Sequence, residues 1–259
     1  MPRLTIDALE IDAPQGATVL EAIRLSGVQL TTLCYWEGLS AYGACRLCLV
    51  DLVKPRREVI AACTYPVEDG MVIETQGGRA EPVRKMMLEF LLARCPTSQV
   101  IRDLAAEAGV THSRFSTQGN PDELCVLCGL CVRVCREAVG AAAIGFTQRG
   151  ADRKVDSPFH LQAEACIGCG ACAAVCPTGA IFIEDVGDQR ILHTWNTTVT
   201  LQPCPKCGKP YAPDPMAFLK QHVEAGEHLY GFCPACRRKT TLEQLDIVRD
   251  ADFHRSAVP

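Results

Sequence analysis

The sequence predicts an α+β chain assembled from small successive modules, and three observations carry that expectation. The first is the number and grouping of its cysteines. Of 259 residues, 17 are cysteine: 34, 45, 48 and 63; then 95; then 125, 128, 131 and 135; then 166, 169, 172 and 176; then 204, 207, 233 and 236. That is four fours and one left over. The second is a spacing, C-x2-C-x2-C-x3-C, that starts at Cys125 and again at Cys166. The third is the N-terminal stretch, where short alternating apolar segments surround one capped helical segment. Structural cysteines sit singly in cores and do not repeat a spacing, whereas plentiful thiols at regular intervals in a reducing setting mean metal.

Composition narrows the class. The apolar share is 48%, the charged share 22% and the net charge -4, so disorder and collagen-like repeats are excluded. The basic residues form no long run, and the electrostatic footprint of a nucleic-acid binder is missing. Met1 to Ile6 offers no charged region leading into an apolar one, so no secretory signal is readable. The longest apolar run, from Ala138 to Phe146, is nine residues with two glycines, far short of a membrane span. A soluble, cytoplasmic protein is the expectation.

In the first module, residues 1–78, Leu4 to Ile11 alternates like a hairpin strand and Pro14-Gln15-Gly16 turns. Thr18 and Glu21 form a capping-box pattern for a helix over Val19 to Leu25, ended near Gly27. Strands are expected at Arg46 to Leu52, Glu58 to Ala62 and Met71 to Thr75, giving a short sheet that grips one helix. Cys34, Cys45, Cys48 and Cys63 are spaced x10, x2 and x14. Long loops with one tight pair suit a flat [2Fe-2S] cluster. Residues 79–120 read as a helical linker, with an amphipathic stretch from Glu81 to Ala93 and a helical one from Gln99 to Ala108. Cys95 between them reads as a half-buried thiol and not a ligand.

The repeated spacing occupies the third module, residues 121–188. Three cysteines so close leave one iron of a cubane for a ligand from elsewhere, and in two-cluster ferredoxins the fourth cysteine of each run serves the other cluster. One [4Fe-4S] cluster is therefore expected on Cys125, Cys128, Cys131 and Cys176, the other on Cys135, Cys166, Cys169 and Cys172. Gly129, Gly168, Gly170 and Ala171 are small enough to let backbone N–H groups approach the sulfides. Strand-like stretches follow each run, Ala143 to Phe146 and Ala180 to Ile183, with an insertion from about 147 to 160. In the last module, residues 189–259, the pairs Cys204-x2-Cys207 and Cys233-x2-Cys236 suit tetrahedral zinc in a zinc-ribbon-like domain, or a single iron as in rubredoxins. A helix is expected over Pro215 to Glu227.

The motifs Thr18-Val19-Leu20-Glu21-Ala22, Leu33-Cys34-Tyr35, Gly43-Ala44-Cys45-Arg46-Leu47-Cys48-Leu49-Val50 and Pro66-Val67-Glu68-Asp69-Gly70-Met71 carry a resemblance. Residues 1 to about 185 resemble a family that includes the large iron-sulfur subunit of bacterial complex I, the diaphorase small subunit of NAD-reducing hydrogenases and the N-terminal part of multimeric iron-only hydrogenases. The resemblance implies a beta-grasp ferredoxin domain followed by a ferredoxin-like dicluster domain. It implies an electron wire between a flavin and NAD(P)-binding subunit and a catalytic subunit of a larger complex, such as a hydrogenase or formate dehydrogenase. A free polyferredoxin serving several enzymes is the alternative. Relatives commonly carry a further cubane site, one histidine and three cysteines spaced H-x3-C-x2-C-x5-C, after the helix that follows the first domain. This chain lacks it, which interrupts the expected path between residues 63 and 125. No dinucleotide fingerprint or Walker loop is present, and no catalytic residue is assigned. Histidines 112, 160, 193, 222, 228 and 254 lack a triad partner. Lys54, Arg46, Arg56 and Arg57 read as solvated surface, and Tyr35 and Trp36 as shielding for the two-iron site.

Overall fold

Apolar residues at Leu4 and Ile6 face one side of strand β1 (Arg3–Ile6) and are fully buried, while Arg3 faces out. Asp7 and Ala8, both at positive φ, turn the chain into β2 (Leu9–Asp12), so the expected hairpin forms. Thr18 caps α1 (Val19–Leu25) as its side chain predicts. The Thr18 hydroxyl accepts from Glu21 N and the Glu21 carboxylate accepts from Thr18 N. Val19, Leu20, Ala22 and Ile23 form the buried face of this helix.

Strands β3 (Leu49–Lys54), β4 (Glu58–Ala61) and β5 (Val72–Glu74) complete a five-stranded sheet in the order β2-β1-β5-β3-β4. β1 and β5 are parallel and the other neighbours antiparallel. β3 starts at Leu49 and not at Arg46, because Arg46 takes φ 58 in the loop between two cysteines and leaves the extended backbone.

The computed structural model describes residues 1–117, 120–213 and 232–244. They divide into two compact units, Met1–Asp156 with Ala171–Ile181, and Ser157–Gly170 with the residues from Phe182 on. Besides the sheet, the first unit holds α2 (Ala80–Arg94), α3 (Gln99–Glu107), α4 (Leu130–Arg133) and α5 (Ala171–Ala174). α2 is anchored on the sheet by buried Asp51, whose carboxylate accepts from Ala80 N at 2.8 Å, and by Arg84, which donates to the carbonyls of Leu49 and Thr75. α4 runs into a π-helical turn at Val134–Ala138, a form frequent at functional sites.

The expected strand at Ala143 to Phe146 is β6 (Gly145–Thr147), and the insertion after it returns as β7 (Lys154–Asp156) to make a hairpin. Two apolar cores result among the described residues. One fills the space between α1 and the sheet. The other gathers Leu33, Leu47, Leu88, Leu91 and Ile101 with Cys34, Cys45, Cys95, Cys128, Val134 and Val175.

The second unit carries an antiparallel sheet of β8 (Ile183–Val186), β9 (Gln189–Leu192), β10 (Thr197–Pro203) and β11 (Pro210–Pro213). The strand expected at Ala180 to Ile183 begins only at Ile183. The sheet continues across residues 188 and 189, where the sequence suggests a module boundary. Leu192 at the end of β9 and Trp195 after it are buried, and Ala163 N donates to Thr197 Oγ1. The last helix among the described residues is α6 (Pro234–Gln244). The helix expected over Pro215 to Glu227, and His222, His228 and His254, lie outside the described residues. Among the described residues no helix is long and apolar enough to cross a membrane.

Candidate metal centres

Cys34, Cys45, Cys48 and Cys63 come from three separate stretches, the loop after α1, the loop before β3 and the end of β4. All four are buried. Their sulfurs form a chain of hydrogen bonds, Cys45 to Cys34, Cys34 to Cys63 and Cys63 to Cys48. The Cys45 and Cys63 thiols donate to Cys34, and together with the Cys45 and Ala44 amides they hold it at about 2 against the cost of burial. Cys63 likewise brings Cys48 down to about 7. The protons stay on Cys45 and Cys63, which are pushed up by those same sulfurs and by burial. Four buried thiols competing for protons form a donor set that a cation would satisfy better. Cys45 N donates to Cys34 Sγ and Leu33 N to Cys45 Sγ, both at 3.5 Å. Gly43 at φ 65 closes the loop, and a Cβ there would meet Thr64 Cγ2 at 3.1 Å.

In the same unit, Cys125, Cys128 and Cys131 line the turn into α4. Burial pushes all three thiols up, Cys128 to about 11, and the sulfur of Cys176 adds to each. The fold thus brings Cys176, far along the chain, beside the first run. Amides of Leu127 and Leu130 donate to Cys125 and Cys128, and Ala180 N donates to Cys176 Sγ at 3.3 Å. Gly129 has φ 73, and a Cβ on it would meet Phe146 Cζ and Tyr42 Cε1 at 3.2 Å. These buried sulfurs, their amide donors and a backbone that must approach closely fit an iron-sulfur cluster. Of the other expected set, Cys135, which accepts from Ala143 N at 3.3 Å, and Cys172 belong to the first unit. Cys166 and Cys169 belong to the second.

The four sulfurs of Cys204, Cys207, Cys233 and Cys236 lie within 4.8 Å of one another. A tetrahedron with metal–sulfur bonds of about 2.3 Å has edges of about 3.8 Å, and the Cys207–Cys233 separation is 3.7 Å. Cys233 N donates to Cys204 Sγ and Cys236 N to Cys233 Sγ. Burial of Cys204 opposes ionisation, yet the amides of Cys233, Lys206 and Cys207 bring its thiol down to about 6. The second pair sits at the head of α6.

Cys95 is fully buried and not half-buried, at the C-terminal end of α2. Burial pushes its thiol up to about 12. Tyr35 packs against the sheet-side core and donates to Glu21 Oε1 at 3.0 Å, and Trp36 is half exposed. His193 faces Glu184 and His112 faces Thr111. Arg56 pairs with Glu58 at the surface.

Three arginines that are not themselves motif positions hold the cysteine loops: Arg94 and Arg190 outside the cysteine runs, and Arg133 between Cys131 and Cys135. Arg94 Nε donates to Cys125 O at 2.7 Å, Arg133 Nη2 to Cys34 O at 2.5 Å and Arg190 Nη1 to Gly168 O at 3.0 Å. No spacing rule marks an isolated arginine as the partner of a carbonyl, so only the tertiary contacts reveal them.

Residues 2–78 match the 2Fe-2S iron-sulfur cluster binding domain. The 4Fe-4S dicluster domain matches twice, over 124–180 and over 165–210. It is an iron-sulfur protein. The iron-sulfur chain is 32% identical over 235 residues to a subunit of the NADH-quinone oxidoreductase of Rhizobium meliloti, covering 80% of this chain and 27% of that one. It is 29% identical over 210 residues to the HndD subunit of the NADP-reducing hydrogenase of Solidesulfovibrio fructosivorans, covering 70% and 36%. The chain thus spans only about a quarter to a third of the length of these curated relatives. A chain of an NAD+-reducing [NiFe]-hydrogenase crystal structure superposes with a TM-score of 0.59 at 27% identity, covering 69% of this chain and 86% of that one. The resemblance carried by the motifs is therefore to the iron-sulfur subunits of NADH- and NADPH-linked complexes.

Proposed function

We propose that this iron-sulfur chain relays single electrons between a flavin and NAD(P)-binding subunit and a catalytic subunit of a cytoplasmic multi-subunit redox complex, such as a hydrogenase or formate dehydrogenase. In this reading Cys34, Cys45, Cys48 and Cys63 hold a [2Fe-2S] cluster in a beta-grasp domain. Cys125, Cys128, Cys131 and Cys176 hold one [4Fe-4S] cluster, and Cys135, Cys166, Cys169 and Cys172 the other. Cys204, Cys207, Cys233 and Cys236 hold zinc in a zinc-ribbon-like domain, with a single iron as the alternative. The clusters, when bound, supply one-electron redox chemistry.

The chain's own residues bind and insulate. Thiolates hold the irons, amides such as those of Leu33, Cys45 and Ala180 donate to sulfur, and the apolar core keeps water away. Amide donors and burial are the levers by which a protein sets cluster potentials. The observation that carries the reading is the shared core in which Cys34 and Cys45 pack with Cys128. It supports a path from the first site to the second without the additional histidine-and-cysteine cubane of the relatives. Relatives named for NADH, NADP and hydrogenase favour a fixed subunit over a mobile carrier.

Anaerobic affinity purification of the tagged chain from its host at low salt, which preserves charge-dependent contacts, tests this. A flavin-containing subunit and a metalloenzyme subunit are expected in fixed ratio. A chain that arrives alone with its clusters full would make it a diffusible polyferredoxin. Metal analysis should give about ten irons and one zinc per chain; eleven irons without zinc would replace zinc by a rubredoxin-like iron.

A further inference from the structure

Arg133 is buried to 4% exposure in the middle of the first unit, two residues after Cys131. Its Nη2 donates to the carbonyl of Cys34 and its Nη1 to the carbonyl of Ser40, while its guanidinium lies over the Tyr42 ring at 5.4 Å. One side chain from the run Cys125–Cys135 thus grips the loop that carries Cys34 at two points. Glu137, one turn on, adds a second grip. Its carboxylate accepts from Ser40 N at 2.8 Å and from Ser40 Oγ at 2.6 Å.

What sets Arg133 apart is its charge. Arg190 pairs with Asp185 and Arg94 lies 3.9 Å from Glu123. Arg133 donates to carbonyl oxygens and lies over an aromatic ring, with no carboxylate in salt-bridge contact among the described residues, and its buried Nε has no hydrogen-bond partner; the nearby Glu137 carboxylate, held below its ordinary range chiefly by Ser40, feels its charge more weakly. A buried guanidinium without a carboxylate in direct contact is costly. Arg133 touches the backbone of Cys34 and stands two residues after Cys131, and Cys34, Cys45 and Cys128 pack together in one core. Thiolates binding cluster iron would add to the counter-charge that Glu137 supplies.

We propose that Arg133 is a positioning residue which clamps the Cys34 loop to the Cys125–Cys135 segment and whose buried positive charge favours the reduced state of the Cys34–Cys45–Cys48–Cys63 site. This rests on the ligand assignment above. One electron arriving from a reduced flavin, or from dithionite in the assay, adds one negative charge to that site. No bond is made or broken and no proton moves. A nearby cation that keeps its charge throughout the working pH range lowers the cost of that step. At an effective dielectric of about 20, a unit charge about 10 Å away changes an equilibrium constant by roughly tenfold.

The test is an anaerobic EPR-monitored redox titration of the full-length holoprotein as wild type, R133Q and R133K, with iron content measured first. With clusters intact, R133Q should lower the one-electron reduction constant of the [2Fe-2S] signal about tenfold, equivalent to about 59 mV, and R133K should stay within about threefold of wild type. A loaded R133Q with an unmoved potential overturns the proposal. So does an R133K shifted as far as R133Q, which would assign the effect to hydrogen-bond geometry instead of charge. If R133Q does not retain its clusters, the wild type and R133K decide. The wild-type [2Fe-2S] signal should broaden or relax faster once a cubane is reduced, and R133K should keep the wild-type potential; failure of either overturns it. A wild type with no [2Fe-2S] signal at all would remove the ligand assignment and the proposal together, and is distinguishable from a silent R133Q by that signal.

Discussion

Gly129→Ala is a small change whose cost can be worked from the structure. Gly129 lies between Cys128 and Leu130 at φ 73, a left-handed conformation that costs an L-residue roughly 1–2 kcal/mol. The added methyl would stand 3.2 Å from both Phe146 Cζ and Tyr42 Cε1. These rings stack with centroids 6.2 Å apart and pin the loop from outside. Each must yield by a few tenths of an ångström, so about 2 kcal/mol in all is a fair sum, or roughly thirtyfold in a rate that relieves it. Iron can leave only when the loop opens, and opening releases both strains.

The assay is loss of cubane EPR signal and of iron under a chelator at about 25 °C, the temperature to which the rate conversion applies. G129A should lose the iron of its Cys125–Cys131 loop roughly thirtyfold faster than wild type while the [2Fe-2S] signal persists. G145A is the control, since Gly145 has ordinary backbone and a Cβ there meets nothing within 4 Å. Equal rates for G129A and wild type would refute the idea that this loop needs close backbone approach.

Cys95→Ser should leave the iron count unchanged while costing about 1–3 kcal/mol, because a hydroxyl replaces a fully buried thiol; a lower iron count would make Cys95 a ligand. Cys207→Ser should remove the metal of the C-terminal site and spare every EPR signal of the clusters, as read by metal analysis beside EPR. Thr18→Ala should cost about 1 kcal/mol through loss of the α1 cap, measured as a lower melting temperature of the holoprotein. Glu21 titrates below its ordinary range because Thr18 N donates to it, with smaller help from Tyr35. A carboxylate depressed in the folded state contributes stability that is complete above its unfolded value and is lost as pH falls through the folded one. The stability gap between wild type and E21Q should therefore hold from about pH 7 to about 5 and close below about 4, and a gap that persists at lower pH would contradict the sign.

Much of this protein is legible without coordinates, for a physical reason. Ligand spacing is a local property, so C-x2-C-x2-C-x3-C specifies a cluster loop wherever the fold places it. The Thr18–Glu21 cap and the Leu4–Ile11 alternation are equally local, and α1 and the β1–β2 hairpin form within a residue or two of where the pattern puts them. Strand starts were less legible. Arg46 looks like strand sequence, yet the turn that aims Cys45 and Cys48 at one point takes it to positive φ.

The tertiary structure decided what joins across distance. The gap between residues 63 and 125 closes because Leu33, Leu47 and Cys34 share a core with Leu130 and Val134. A sequence shows two apolar stripes but not that they meet. Cys95 is sealed by that same packing. Arg94, Arg133 and Arg190 gain their roles from carbonyl oxygens 31, 99 and 22 residues away. A carbonyl is common to every residue and leaves no trace in the sequence. The cysteines thus name the chemistry by themselves, while the charge that surrounds them is set by which backbone oxygens and side chains the fold brings together.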